Sequence, residues 1–357
     1  MNAKQAKLTA RAWVKDNIEQ WPGLRAAHLV GGITTMADEA PFPADKDVDL
    51  HLIFADDSQL LANPDPWSGI IEESYGGIAI EAGLKPVTDY RSAAAVLGNP
   101  EIAHHLLVDS VLHDPDGLLH DLQAEVRRDY PRRRWVCARL QYERQGLAGA
   151  LSLLETARAT MGASGEVNIL GYTTTFATAA LWVATLNPPK MGGRTLLRLR
   201  QVLAAYDRVD LHEDLLAILG LSNLSPERIE RFLDEAIAGF DLALAVRRTP
   251  GPFQHKLHPH LRAYFVGACR EMLAEGYHRE AMGWVLPYHL ATADVILADG
   301  PDPVKPGFAA RRADLLRALG LDTAEARAAA IERATRLYDQ IFALADEIVA
   351  NNPGVMD

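Results

Sequence analysis

Two acidic side chains alternate with apolar ones in a segment that is typical of a half-buried β-strand. Asp47 and Asp49 lie two positions apart in the run Asp-Val-Asp-Leu-His-Leu-Ile-Phe, which ends at Phe54. Side chains two residues apart on a strand project from the same face, so these carboxylates are predicted to lie only a few ångströms apart. Like charges that close are unfavourable unless a cation lies between them. The pair is therefore predicted to hold Mg²⁺, which prefers carboxylate oxygens and leaves coordination positions open for phosphate.

A glycine pair and a third acid accompany these two carboxylates. Gly31 and Gly32 follow a strand-like segment, and their missing side chains would let phosphate oxygens approach backbone N–H groups closely. Glu81 lies on the polar side of a second alternating segment, where it is predicted to add a third carboxylate to the same cluster. Glu72 and Glu73 are nearby in sequence and stay open as alternatives for that third acid.

These residues together resemble the signature of the nucleotidyltransferases of the DNA polymerase beta-like superfamily. That signature is a strand, a Gly-Gly or Gly-Ser turn, a loop, and then Asp-hydrophobic-Asp or Asp-hydrophobic-Glu. Glu81 falls where the superfamily places its third carboxylate, and the resemblance covers roughly residues 24–120. The pattern is most similar to that of members that modify small molecules and antibiotics, among which a helical C-terminal domain is common.

The chain departs from this signature in two respects. Fourteen residues separate Gly32 from Asp47, which is slightly more than the usual spacing. The turn is Gly-Gly rather than Gly-Ser, so it offers no serine hydroxyl to a triphosphate.

The resemblance implies an enzyme that transfers a nucleoside monophosphate, most commonly AMP from ATP, to a hydroxyl group of a small acceptor. Pyrophosphate is the leaving group, and one or two Mg²⁺ ions held by Asp47, Asp49 and Glu81 are the implied cofactor. Such a transfer requires mainly positioning and charge neutralisation from the protein. Glu81 would share a metal ion or take the proton of the attacking hydroxyl, and both roles stay open.

Basic residues are predicted to bind the nucleotide phosphates together with the glycine pair. Lys85 lies four residues after Glu81 on the same predicted strand face, from where it would neutralise the α-phosphate or the leaving pyrophosphate. Lys190 and Arg194 lie in Pro-Pro-Lys-Met-Gly-Gly-Arg at a predicted helix start. That position offers N–H donors as well as positive charge for the β- and γ-phosphates.

Hydrophobic periodicity changes from two to the helical period along the chain. His51 lies on the carboxylate face of its predicted strand, where a structural hydrogen bond is expected. Strands are predicted near residues 28–30, 47–54, 78–85 and 110–113. Helices are predicted over residues 8–21, 118–128, 131–159, 166–186, 193–208, 226–247, 258–275, 278–298, 307–319 and 323–350.

This order of elements predicts an α+β fold with two domains. Residues 1–125 would form a small α/β domain with a mixed sheet and the catalytic site. Residues 126–357 would form a larger, all-helical domain that binds the acceptor and the nucleotide.

The composition excludes several other classes of protein. With 357 residues, 48% of them hydrophobic and 23% charged, the chain is unlike disordered or collagen-like proteins. Two cysteines allow neither a disulfide framework nor a cysteine-based zinc site, and a formal net charge of −11 argues against non-specific binding to DNA or RNA. The N-terminus lacks the apolar core of a signal peptide, and the apolar stretch from Thr173 to Leu186 is too short for a membrane span. A cytoplasmic protein without membrane association is expected.

Two charged runs leave alternative partners open. Residues 127–145 carry seven arginines against two acids (net +5), whereas residues 207–245 carry nine acids against three arginines (net −6). The basic run would suit transfer to tRNA or to a protein, as in toxin-like members, and the acidic run a cationic acceptor such as an aminoglycoside. Solvated helix faces are the simpler interpretation of both. A non-catalytic nucleotide-binding protein that kept the fold is a further alternative, and the oligomeric state is open.

Overall fold

The computed structural model divides the chain into two compact units. Unit 1 contains Met1–Tyr142, Leu186–Lys190 and Pro353–Asp357, and unit 2 contains Glu143–Thr185 and Met191–Asn352. The structure describes residues 1–43, 46–56, 69–187, 192–249 and 256–357.

Unit 1 is built around one mixed β-sheet, as the segments of period two predict. Its strands are β1 (Leu24–Leu29), β2 (Asp47–Phe54), β3 (Ile70–Tyr75), β4 (Ile78–Pro86) and β5 (Val111–His113). They lie in the order β3-β4-β2-β1-β5. β2 pairs in parallel with β4, whereas the other neighbours pair antiparallel. The central strand β2 and its neighbour β4 therefore run in the same direction, so that corresponding positions of their polar faces lie side by side.

Strand β2 has one fully apolar face, as its alternation predicts. The four apolar side chains that alternate from Val48 to Phe54 are at most 1% exposed and lie in one core with Trp13. Trp13 belongs to helix α1 (Ala3–Asn17), which begins at a capping box formed by Asn2 and Gln5. Burial of this face fixes which way β2 faces, because a shift by one residue would turn every side chain over.

A second core covers part of the opposite, carboxylate-bearing face. Ile53 of β2 and Ala26 of β1 pack there with Tyr90 and with apolar side chains of short helices. Asp47 and Asp49, earlier on the same face of β2, are only half-buried. The helices on this face are the 3₁₀ helices Val87–Tyr90 and His104–Leu107, α2 (Ala93–Gly98), α3 (Pro100–Ala103) and α4 (Leu118–Asp129).

The described part of unit 2 is helical, so the predicted α+β fold class is confirmed. The remaining helices of the chain are α5 (Arg133–Ala184), α6 (Thr195–Ala204), α7 (Val209–Ile218), α8 (Pro226–Val246), α9 (Pro259–Ala274), α10 (His278–Asp299), α11 (Lys305–Ala318) and α12 (Ala324–Asn351). Helix α5 consists of two helical segments that meet at Gly162, whose φ of 61° is non-helical. The sequence predicted this interruption as a gap between two helices. The assignment of catalytic and acceptor-binding roles to residues 1–125 and 126–357 stays a prediction.

Several elements were not predicted from the sequence, among them strand β3 and helix α7. Strand β3 carries Glu72, Glu73 and Ser74 in succession at the edge of the sheet, so it lacks the alternation that marks a half-buried strand. Helix α7 lies in the acidic run, where charged residues interrupt the apolar period. In both segments the pairing partner or packing neighbour, rather than the local pattern, determines the structure.

Two helices are long and apolar enough to cross a membrane by length and composition. In both Gly162–Ala184 and His278–Asp299, the most apolar segment of 18 residues has a mean hydropathy of 1.2. About two thirds (67%) of that segment is buried in the protein. Most of the stretch from Thr173 to Leu186 belongs to the first of these helices, which begins eleven residues before Thr173. Such burial is typical of the core helices of a soluble protein. The cytoplasmic location stays a prediction.

Arg139 links helix ends in the second core of unit 1. This arginine of α5 is fully buried. Its guanidinium donates to the carbonyl oxygens of Leu97 (2.9 Å) and Tyr130 (2.8 Å) and lies 4.0 Å from the centre of the Tyr130 ring. Both carbonyls lie at the carboxyl ends of helices, where oxygens lack partners within the helix. Arg139 therefore satisfies backbone acceptors that packing has removed from water.

We expect Arg139→Met to lower the free energy of unfolding by about 2–4 kcal/mol, because it leaves these two buried carbonyls without donors. Urea denaturation followed by circular dichroism measures this loss. Arg144→Met is the control, since Arg144 pairs with Asp346 near the surface and such a pair contributes about 0–1 kcal/mol. Equal losses in the two variants would contradict the role assigned to Arg139.

Candidate functional site

Three carboxylates from two parallel strands converge on the polar face of the sheet. Asp49 of β2 and Glu81 of β4 are register partners, and Asp47 lies two residues before Asp49 on the same face. One oxygen from each of the three carboxylates lies within 4.8 Å of the others, and all three residues are half-buried. The structure thus brings together the three acids that the sequence selected, while their catalytic and metal-binding roles stay predictions.

A glycine turn lies directly against this cluster. Gly31 begins the 3₁₀ helix Gly31–Thr35 after β1 and has a φ of +64°. A Cβ atom at Gly31 would lie 1.9 Å from Oδ2 of Asp49, so any other residue at this position would displace that carboxylate. The N–H of Val30 donates to the backbone oxygen of Asp49 at 2.9 Å, which fastens the turn to β2. A Cβ atom at Gly32 would meet no heavy atom within 4 Å, so this part of the turn is open.

The donor set suits a hard divalent cation. Carboxylate oxygens are the ligands that Mg²⁺ and Mn²⁺ prefer, whereas zinc sites more often use histidine and cysteine. Three acidic groups this close repel one another, and a bound cation would offset that repulsion. Asp47, Asp49 and Glu81 are therefore the residues that would hold a divalent metal ion.

The alternative acids have other neighbours. Glu73 of β3 accepts a hydrogen bond from the indole Nε1 of Trp13 at 2.8 Å, which directs it to the α1 side of the sheet. Glu72 lies opposite Glu81 on the edge strand, but it does not belong to the group within 4.8 Å. The third carboxylate of the cluster is thus Glu81.

The predicted phosphate-binding cations differ in their surroundings. Lys85 lies on the same strand as Glu81, and its Nζ is 3.6 Å from Oε2 of Glu101. Arg194 belongs to unit 2 and forms two ion pairs, one with Glu271 of α9 and one with Glu275, which caps the C-terminal end of that helix. Lys190 lies outside the described residues. The phosphate-binding roles of these cations stay predictions.

Buried polar side chains, among them His51, surround the glycine turn. Nδ1 of His51 and Nε2 of His28 lie 2.9 Å and 2.8 Å from the hydroxyl of Tyr90. Thr34 contacts Nδ1 of His105 at 3.3 Å. The structural hydrogen bond expected for His51 is confirmed, but Tyr90 lies in a 3₁₀ helix whose sequence has no periodic signal. The only indication in the sequence that His28 forms such hydrogen bonds was its position on the polar side of its short strand.

Burial keeps the histidines of this group neutral at pH 7. Desolvation lowers the pKa of His28 from 6.5 to about 4 and that of His105 from 6.5 to about 3. The same cause lowers the pKa of His51 well below its usual value. Neutral imidazoles each have one donor and one acceptor nitrogen, so their hydrogen bonds have a defined direction.

The chain has a distant structural resemblance to a solved protein. No protein-family model matches it, and no curated protein matches it. Among solved structures it is similar to a nucleotidyltransferase-like protein from Exiguobacterium sibiricum 255-15, with 12% sequence identity and a TM-score of 0.30, over 76% of this chain and 91% of that chain. A TM-score this low carries no argument about chemistry, so a function has to be argued from the site itself.

We expect Gly31→Ala to destabilise the protein and to abolish divalent-metal binding. The positive φ alone costs about 1–2 kcal/mol, and the new methyl group would displace the Asp49 carboxylate. Gly32→Ala is the matched control, because its Cβ meets open space. Melting temperature and Mn²⁺ titration calorimetry measure both effects. Parent-like Mn²⁺ affinity in folded Gly31→Ala would contradict the assigned geometry.

We expect stability to fall as the pH is lowered from 6.5 to about 4. The unfolded chain binds more protons than the folded chain in this window, because folding lowers the pKa of His28 and His105. The stabilisation is complete above pH 6.5, and at about 1.36 kcal/mol per pKa unit it amounts to about 3 kcal/mol for His28 and about 5 kcal/mol for His105, whose share is lost only near pH 3. Thermal melting across this range should show a shallower slope for His105→Asn. His113→Gln on β5 is the control, and an unchanged slope for His105→Asn would refute the assignment.

Proposed function

We propose that the chain is a Mg²⁺-dependent nucleotidyltransferase that transfers AMP from ATP to a hydroxyl group of a small molecule. The observation that carries this proposal is the cluster of Asp47, Asp49 and Glu81, whose oxygens lie within 4.8 Å of one another. The contact of Gly31 with Asp49 supports it, since an open glycine turn beside a metal site suits a polyphosphate.

The reaction exchanges one phosphorus–oxygen bond for another. The acceptor oxygen bonds to the α-phosphorus, the bond from that phosphorus to the bridging oxygen of the β-phosphate breaks, and pyrophosphate leaves with the electron pair. Asp47 and Asp49 would hold the metal ion that neutralises the phosphate charge. Gly31 and Gly32 would present the backbone to the triphosphate at a distance that side chains would prevent.

Two roles fit Glu81. As a metal ligand, it would complete the set of three carboxylate oxygens. As a general base, it would take the proton of the attacking hydroxyl, for which a half-buried carboxylate next to the reacting centre is suited. Glu81→Gln separates the roles, because loss of a ligand weakens metal binding whereas loss of a base lowers kcat at unchanged metal affinity.

The arginine-rich run does not favour a nucleic-acid target. Arg128 and Arg132 pair with Asp129, Arg133 pairs with the side chain of the last residue, and Arg139 is buried. Cations that neutralise phosphates on a nucleic acid must be exposed and available. Most of this charge is instead used within the protein.

A cationic small molecule is the proposed acceptor class. The net charge of −11 supports it, because an acidic protein attracts cations over a distance. Much of the acidic run itself is paired internally, as Glu213 is with Arg279 and Asp241 is with Arg262. Aminoglycosides, which are cationic and hydroxylated, are the acceptors to test first.

We expect ATP with Mg²⁺ to raise the melting temperature by a few degrees, and we expect Asp47→Asn and Asp49→Asn to abolish the shift. A ligand at a hundredfold its dissociation constant stabilises by about 2.7 kcal/mol, which is measurable as such a shift. GTP, CTP and UTP in parallel identify the donor. Asp116→Asn, on the surface of the same unit, is the control.

Turnover distinguishes the enzyme from a non-catalytic binding protein. With an aminoglycoside acceptor, pyrophosphate release should fall by about 100-fold or more in the two variants. Nucleotide binding without turnover for every acceptor and nucleotide would favour the non-catalytic alternative. Parent-like pyrophosphate release by Asp47→Asn/Asp49→Asn would refute the proposed site.

A further inference from the structure

Two hydrogen-bond chains end on the backbone carbonyls that flank the glycine turn. The first begins at His28, whose Nδ1 lies 3.0 Å from the carbonyl oxygen of Leu29. A carbonyl oxygen only accepts, so Nδ1 of His28 carries the proton and donates. Because the buried ring is neutral, its Nε2 is an acceptor.

Tyr90 extends this first chain to the strand that carries the acids. Its hydroxyl must donate to Nε2 of His28 at 2.8 Å, which leaves the phenol oxygen to accept from Nδ1 of His51 at 2.9 Å. Tyr90 and His28 are fully buried. His51 is the next residue after Asp49 on the same face of β2, so Tyr90 holds a side chain of the strand that carries the carboxylates.

A glycine on β4 makes room for the His51 ring. Gly83 is the register partner of His51, and a Cβ atom at Gly83 would lie 3.3 Å from Cδ2 of the ring. The contact of a side chain at Gly83 would thus be tighter than ordinary van der Waals contact, so the ring lies beside the space that the glycine leaves free. Its position is thus set by Tyr90 at one nitrogen and by β4 at one edge.

The second chain holds the other side of the turn. The hydroxyl of Thr34 donates to the carbonyl oxygen of Gly31 at 2.8 Å. A hydroxyl has one proton, so its oxygen must accept from Nδ1 of His105 at 3.3 Å. Thr34 and His105 are both buried.

Movement of the turn is coupled directly to a carboxylate. Gly31 occupies the space next to Asp49, such that a Cβ atom would overlap Oδ2. The N–H of Val30 also donates to the backbone oxygen of Asp49. A turn released from either chain would therefore shift the Asp49 carboxylate, which a metal site tolerates poorly.

We propose that Tyr90 and Thr34 are positioning residues, which hold the glycine turn and the Asp49 carboxylate in the arrangement that binds a divalent cation. The inference deepens the proposed function and rests on it for the nucleotide. Neither residue touches the reacting atoms in this proposal. Their effect passes through His28, His51 and the carbonyl of Gly31.

The experiment measures Mn²⁺ affinity of the full chain by titration calorimetry, without nucleotide. Tyr90→Phe and Thr34→Val remove one hydroxyl each and should weaken Mn²⁺ binding roughly tenfold. Thr34→Ser keeps the hydroxyl and should retain most of the parent affinity. Tyr130→Phe is the matched control, since Tyr130 is a buried tyrosine of the same core outside both chains. Melting temperature and the KM for ATP are measured on the same samples.

The outcomes separate positioning from structural support and from the proposed function. A lower melting temperature with parent-like Mn²⁺ affinity and KM in Tyr90→Phe and Thr34→Val would overturn the inference, because it is what structural support alone predicts. Weakened Mn²⁺ binding in both, with rescue by Thr34→Ser, supports it. If both variants bind Mn²⁺ more weakly but the parent protein binds no nucleotide, the proposed function is overturned and the inference stands. A parent protein that binds no Mn²⁺ would overturn both.

Discussion

The contact between Gly31 and the Asp49 carboxylate is the constraint on which the site depends. It requires a residue without a side chain and with a positive φ at the end of β1. The antiparallel pairing of β1 with β2 then holds Asp49 beside the turn, and the parallel pairing of β2 with β4 adds Glu81. A local backbone requirement and two strand pairings thus suffice to gather three acids around one point.

Polar groups around this point are neutral and directional rather than charged. Burial lowers the pKa values of His28 and His105, so their rings are donors and acceptors without positive charge. A protonated imidazole beside the acids would offset their negative charge, which is the property that attracts a cation. Neutral rings hold the turn without that effect, although the arrangement depends on pH.

Charge in the rest of the molecule is largely used for internal contacts. Arginines of the basic run over residues 127–145 pair with Asp129 and with Asp357 or lie buried, as Arg139 does. Acids of the run over residues 207–245 pair with arginines of other helices. The net charge of a segment therefore says little about its binding partners when most of its charged groups already form ion pairs within the protein. The carboxylate cluster is better evidence for the function than either charged run.

The sequence by itself determined the properties that depend on one segment. Alternation in Asp47–Phe54 predicted the strand, its buried face and the shared face of Asp47 and Asp49, because side-chain alternation follows from the backbone geometry of a single strand. Only the tertiary structure decided that Glu81 joins them, since Glu72, Glu73 and Glu81 all lie on strands and differ in register and packing. Tyr90 was missed for the same reason: its hydroxyl matters through histidines 39 and 62 residues away. Contacts between distant segments depend on how whole elements pack, and this packing cannot be predicted from a local sequence pattern.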